Sequence, residues 1–228
     1  MLNRIAGRAL RLVLPALLFA CSAAAFAQSE QQKVVNLADQ SLVNFLRDPE
    51  MSWLQQNIGK AKGILIASNV VKAGFIFGGS GGRAVLIVRD PATGKWSGPA
   101  FYTLATASVG FQAGVSVSEI VTLVMTEKGM RSLLATSVKL GGEASIAAGP
   151  VGAGAAAEVV SDLVSFSRAK GVYGGVNLDG SAVTVTDDWN RAYYGKDVQP
   201  SDILITKSVH NKGADRLLAD AAKGARGK

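Results

Sequence analysis

The sequence predicts an α+β fold: a single domain with a mainly antiparallel, barrel-like or sandwich β core flanked by N- and C-terminal helices. Three observations predict it. Apolar residues recur at helical spacing near both ends, across residues 33–47 and 214–222. Between them lie short apolar runs bounded by Gly, Pro, Asp or Asn, without the strand–helix alternation of a parallel sheet. No composition break and no repeat of fixed period divides the 228 residues.

Composition narrows the class. The chain is 48% hydrophobic and 18% charged, with 26 glycines, which fits one sizeable core and excludes a disordered chain. One Cys and one His exclude a disulfide scaffold and a structural zinc site. Residues 1–27 read as a signal peptide: Arg4, Arg8 and Arg11, then apolar Leu12 to Ala20, then Ala25-Phe26-Ala27 before Gln28. The apolar run is too short for a spanning helix. Leu18-Phe19-Ala20-Cys21 also resembles a lipobox, so cleavage after Ala27 and acylation of Cys21 both remain open. Either route exports the protein, to the periplasm or to a lipid anchor on the outer membrane. Without this segment 201 residues remain, and the net charge falls from +7 to +4 because three basic residues and no acids leave. That mild excess permits contact with an anionic membrane and does not call for nucleic acid.

The elements follow in order. Val34, Leu37, Ala38, Leu42, Phe45 and Leu46 form one helical face, and Pro49 ends the run. The opposite face is polar but nearly neutral, which reads as a helix docked on its own core rather than on a membrane. A short helix follows across Met51 to Lys60. Ile64 to Ala67, Gly74 to Phe77 and Ala84 to Val88 read as strands, with Gly78 to Gly82 as a tight connection and Asp90 to Gly94 as a turn. Ser108 to Val124 reads as strand leading into strand, and Glu127 to Ala135 as a helix. The uncharged small-residue stretch Ala144 to Ala157 points to close backbone packing, between strands or around a ligand. Val172 to Leu178 and Ala182 to Thr186 flank Asp179-Gly180 and predict a hairpin. Asp187 to Tyr194 reads as a helix closed by Gly195, Pro200 to Thr206 as a strand, and Ala214 to Ala222 as the last helix. A basic tail with Lys223, Arg226 and Lys228 completes the chain.

Few residues offer chemistry. His210 stands alone in a loop. Asp187-Asp188 read as helix-start carboxylates rather than a catalytic pair. Gly79 to Ala84 fits a relaxed G-x-G-x-x-A, but a strand follows where a phosphate loop needs a helix. There is no G-x-S-x-G elbow. What remains is dispersed basic surface: Lys60, Lys62, Lys72, Arg83, Arg89, Arg168 and Lys170.

Several segments together resemble the SYLF domain family: Ala61-Lys62-Gly63-Ile64, Lys72 to Gly79, Gly94 to Phe101, Ser108 to Gly114, Ala147 to Gly152, Ser165 to Gly171, Leu178 to Ser181 and Tyr193-Tyr194-Gly195. Their order spans roughly residues 33–206. The resemblance divides the chain into a signal peptide (1–27), a SYLF-like lipid-binding domain (28–222) and the basic tail (223–228). It implies a non-enzymatic protein that binds anionic phospholipid or phosphoinositide at a membrane surface and needs no cofactor. Some eukaryotic members also bind actin, which an exported member would not meet. By motif position, the resemblance implies headgroup contacts from Lys62, Lys72, Arg83 and Arg89. Residues 33–47 hold the place of a helix that contributes to membrane contact in some members. The alternative is a cell-envelope structural or protein-interaction module without a lipid ligand. The sequence departs from the family pattern at Ala105-Thr106-Ala107, at Glu119 in place of Asp, and at Gly129 in place of a helix former.

Overall fold

The computed structural model describes residues 29–74, 77–109, 114–154, 158–169 and 171–227. Residues 1–28 lie outside the described residues, and with them Cys21 and both cleavage readings. The chain runs through helix α1 (Glu30–Arg47), a 3-10 turn (Pro49–Met51), α2 (Ser52–Asn57) and a second 3-10 turn (Ile58–Lys60). Four long strands follow, β1 (Gly63–Gly74), β2 (Phe77–Arg89), β3 (Trp96–Val109) and β4 (Gly114–Val124). Then come α3 (Glu127–Leu134), β5 (Ser137–Lys139), β6 (Ile146–Ala148), β7 (Leu163–Ala169), β8 (Val172–Gly175) and β9 (Ala182–Val185). The chain closes with α4 (Asp187–Tyr194), α5 (Pro200–Leu204), a 3-10 turn (Lys212–Ala214) and α6 (Asp215–Ala225).

The strands form one curled sheet, a half-barrel, in the order β5-β9-β3-β2-β1-β4-β7-β6, with β8 also on β7. All pairings are antiparallel except β6 on β7. The predicted α+β class with helices at both ends therefore holds. Both faces of the sheet are covered. Ile64, Ile66, Val85 and Ile87 point into a core shared with α1, α2 and α6. Leu65, Ala67, Ala84, Leu86 and Val88 point into a second core with Met130 and Leu133 of α3 and Ile203 and Leu204 of α5. Two covered faces explain why these strands read as continuous apolar runs rather than alternating ones.

Helix α1 starts where the Ser29 hydroxyl accepts from Gln32 N (3.2 Å) and stops at Asp48-Pro49. Val35, Ala38, Leu42 and Phe45 make its buried stripe. The docked reading of this helix thus holds for Ala38, Leu42 and Phe45, which lie in the core, with Val34 and Leu46 packed partly against it, whereas Leu37 of the expected face is exposed.

The expected strand Gly74 to Phe77 falls partly outside the described residues, with Gly74 the last residue of β1 and Phe77 the first of β2. Three local expectations are corrected. Gly78 to Gly82 is no connection but part of β2. There β1 is irregular between Ala67 and Val70, and its Asn69 carbonyl would lie 2.6 Å from a Cβ on Gly82, so only glycine fits. Asp179-Gly180 does not close a hairpin: β8 pairs with β7, whereas β9 pairs with β3 and β5 across the sheet. The turn docks instead on Leu140, whose carbonyl accepts from Gly180 N at 2.9 Å. Pro200 to Leu204 is a helix. Pro200 sets the first turn, and the Asp202 carboxylate accepts from Gln199 N at 2.9 Å, a local capping signal that outweighs the apolar run.

Close packing in the small-residue stretch is seen at buried Ala144 and at Gly149, where a Cβ would lie 2.2 Å from the buried Phe166 ring, whereas Gly152 and Gly154 have nothing within 4 Å and residues 155–157 lie outside the described residues. Gly129 in α3 has a similar cause, because a Cβ there would come within 2.9 Å of the Asp162 carbonyl. Glu119, another departure from the family pattern, holds Arg168 in a two-bond fork of 2.7 and 2.8 Å between β4 and β7.

Asp162 ties α3 to the β6–β7 connection. Its carboxylate accepts from the Thr126 hydroxyl (2.5 Å), from Ser145 N and Oγ (2.9 Å each), and pairs with Lys128 (3.2 Å). Burial alone raises its pKa, but these partners together hold it well below the usual carboxylate range. Asp162→Asn should lower the unfolding free energy by about 2 kcal/mol at neutral pH. A carboxyl depressed in the folded state contributes fully above its unfolded pKa of about 3.9 and loses that contribution as pH falls further. Urea titrations at pH 7 and pH 3 should therefore show the gap between variant and parent narrowing in acid.

Candidate functional site

The four headgroup candidates sit on the central strands, but not at one point. Lys62 precedes β1, and its carbonyl accepts from Arg89 N at 2.8 Å. These two share one end of the sheet. Lys72 lies farther along β1, opposite Ser80 of β2 and Ser116 of β4. Arg83 lies opposite Thr103. The β2–β3 register is unbroken from Phe77 to Leu86, so Ser80 and Arg83, three residues apart, point to opposite faces. Lys72 and Arg83 are therefore on opposite faces. Arg83 and Arg89 share a face but stand six residues apart, roughly 20 Å.

Their electrostatic partners differ. Lys62 Nζ is 2.8 Å from Glu127 Oε1 at the start of α3. Arg83 lies 4.7 Å above the Trp189 ring of α4, and its guanidinium donates to the Thr103 hydroxyl. Thr103 also meets the Thr186 hydroxyl at 3.1 Å. Among the described residues Arg83 and Arg89 form no ion pair with a carboxylate. The Arg89 Nε is buried without a hydrogen-bond partner.

The other singled-out residues are placed as follows. Arg168 is held by Glu119 and lies 5.7 Å above the Tyr173 ring. Its pKa is raised, first by that hydrogen bond. Lys60 donates to Asn57 Oδ1 at 3.1 Å, and Lys170 lies outside the described residues. Asp187 and Asp188 are exposed in the first turn of α4. His210 is exposed, with Nε2 3.0 Å from Asp215 Oδ1. Among the described residues no group of His, Cys, Asp and Glu could hold a metal ion. Nor is any described helix long and apolar enough to cross a membrane.

Sequence reading missed two tryptophans at this surface. Trp189 supports Arg83 from more than 100 residues away, a pairing with no local signal. Trp96 is the direct cross-strand partner of Arg89. Its place in the Gly94 to Phe101 segment was visible, but its pairing depended on the turn between β2 and β3.

The sequence profile described as "Ysc84: Las17-binding protein actin regulator" matches residues 105–224. Protein YSC84 of Saccharomyces cerevisiae is 34% identical over 70% of this chain and 35% of its own length. The human SH3 domain-containing YSC84-like protein 1 is 32% identical over 70% of this chain and 48% of its own. LAS seventeen-binding protein 3 of Saccharomyces cerevisiae is 33% identical over 64% of this chain and 33% of its own. The chain thus spans about a third to a half of the length of these relatives. No solved structure matches.

The different settings of the two cations are measurable. Arg83→Ala removes a ring contact and a hydroxyl bond and should cost about 1 kcal/mol of unfolding free energy. Lys62→Ala removes a solvent-facing pair and should change stability by less than about 0.5 kcal/mol. Paired urea melts check both.

Proposed function

The chain belongs to the Ysc84 (SYLF) family, and on that premise we propose that it is a non-enzymatic protein that binds anionic, phosphoinositide-like headgroups at a membrane surface. The observation that carries this reading is that Arg83 and Arg89, on the central strand β2, have no carboxylate partner among the described residues. Unpaired guanidiniums suit phosphate, which their planar fork meets with two bonds. Lys62 is paired with Glu127 and Lys72 lies on the face opposite Arg83, so the reading rests on the two arginines. Each cation near an anionic surface contributes about 1 kcal/mol, and the attraction weakens with salt.

Export belongs to the same proposal. The basic, apolar and A-x-A order of residues 1–27 supports a periplasmic protein, or one anchored to the outer membrane through Cys21. Intact mass of protein from its native envelope decides the route. An N-terminus at Gln28 supports the soluble form. An acylated Cys21 supports the anchor, and an uncut Met1 overturns export.

Binding is tested by co-sedimentation with vesicles containing a phosphoinositide or phosphatidic acid. The protein should pellet at low salt and be released as salt rises. Arg83→Glu with Arg89→Glu should weaken binding by about 30-fold or more while leaving a cooperative urea melt. No binding to any anionic vesicle at low salt overturns the proposal.

A second reading draws on the relatives' names. A family described as a Las17-binding actin regulator includes members that meet proteins, and an interaction module without a lipid ligand fits the same fold. Co-sedimentation with filamentous actin together with indifference to anionic vesicles would favour it.

A further inference from the structure

Past the two cores, the sheet carries a row of small and apolar residues that opens to solvent. Val117 of β4, Val71 of β1, Gly81 of β2, Ala105 of β3 and Ala182 of β9 are successive Cα partners across five strands. Residues directly opposite each other in a ladder point to the same face. Val71 and Val117 are 42% and 50% exposed, although β1 and β4 are neighbours in the middle of the sheet. Ala105 is exposed as well, and so is Ala73, two residues farther along β1 on the same face. This is the face that α1, α2 and α6 cover elsewhere. Gly81 stands four residues before Val85 in an unbroken stretch of β2, and Val117 four before Val121 of β4, and both valines belong to that core. An apolar surface left open in this way marks a contact site.

A belt of different chemistry borders the row. Two residues toward the core, about 7 Å along the strands, the same face carries Arg83 opposite Thr103, and Glu119 opposite Arg168. Each arginine of the belt lies over an aromatic ring, Arg83 at 4.7 Å from Trp189 and Arg168 at 5.7 Å from Tyr173. Lys139 of β5, opposite Ala182, adds an exposed cation at the sheet edge. The acid among these residues, Glu119, is already matched by Arg168, so Arg83 and Lys139 remain in excess.

That excess selects the occupant. A second copy of the same face would bring like charges together with no acid left to meet them. An anionic bilayer offers an apolar phase and then negative charge, in the order in which the protein offers valines and then arginines. Aromatic rings with a polar edge and long cationic side chains belong at the headgroup level of such an interface. We infer that this end of the sheet is the surface laid on the membrane, with Val71 and Val117 at the acyl boundary and Arg83 at the headgroups. The inference rests on the anionic-headgroup reading above and adds to it an orientation and an apolar contact.

The test uses the chain from Gln28, which keeps every described residue and contains no cysteine. One environment-sensitive fluorophore is attached at Val117→Cys. In a reference protein it is attached at Ala92→Cys, in the exposed turn between β2 and β3 at the other end of these strands. Phosphatidylcholine vesicles containing phosphatidic acid should shift the emission at position 117 to the blue and leave that at position 92 unchanged. Brominated acyl chains should quench the first label and spare the second. Val71→Thr with Val117→Thr keeps the branched shape on an exposed face and replaces two methyl groups by hydroxyls. It should weaken vesicle binding about fivefold or more with an unchanged urea melt.

Salt-sensitive vesicle binding with the 117 label unmoved and the threonine pair without effect overturns this surface and leaves the headgroup reading standing. Burial of the 117 label on pure phosphatidylcholine, as strong as on anionic vesicles, does the reverse: it keeps the apolar contact and overturns the headgroup reading. Absence of binding to either vesicle overturns both. A blue shift at 117 without vesicles, growing with protein concentration, overturns the bilayer in favour of a second copy.

Discussion

Strand β1 has no free edge and, from Ile64 to Ala67, no wet face. β2 and β4 take its backbone bonds on either side, and two separate apolar cores take its side chains. This double burial is the constraint on which the rest depends. A sheet covered on both faces needs helices from both ends of the chain, so α1 and α6 must return to one face while α3 and α5 cover the other. Arg216 of α6 reaching the buried Asp39 of α1 at 2.8 Å fastens the two ends directly.

The same strands become half-exposed and poor in large side chains beyond Val70 and Gly82. Glycine there is a packing requirement, since the irregular stretch of β1 brings the Asn69 carbonyl against Gly82. What resembled a phosphate loop in sequence is thus a close approach of two backbones. Function has to be sought in side chains left without partners rather than in loop geometry. That leads to β2, which carries Arg83 on its tryptophan platform and Arg89 at the sheet end.

Charge on this molecule divides by partner. Arg168 and Lys62 face carboxylates, and Lys207 is paired with Asp90. A basic residue matched in this way contributes to the fold or to solubility and little to ligand affinity. The excess of positive charge is therefore less informative than its distribution. The docking of α1 carries the same lesson: an amphipathic pattern shows that a face is apolar, and only the core shows what covers it.

By itself the sequence determined the α+β class, the terminal helices, and most apolar runs, because burial writes its period into the chain. Pro49 bounded the end of α1, and Asp187 to Gly195 bounded α4, because caps and breakers act locally. The ordered motifs of Lys62 to Gly195 carried the family. Only the tertiary structure decided which strands pair, since Asp179-Gly180 looks like a hairpin turn whether its flanks meet or part. It also decided that Lys72 and Arg83 face opposite ways, that Glu119 consumes Arg168, and that Trp189 and Trp96 flank the two arginines. Pairing and partnering are set by register across long loops, and register is a property of the assembled sheet rather than of any one segment.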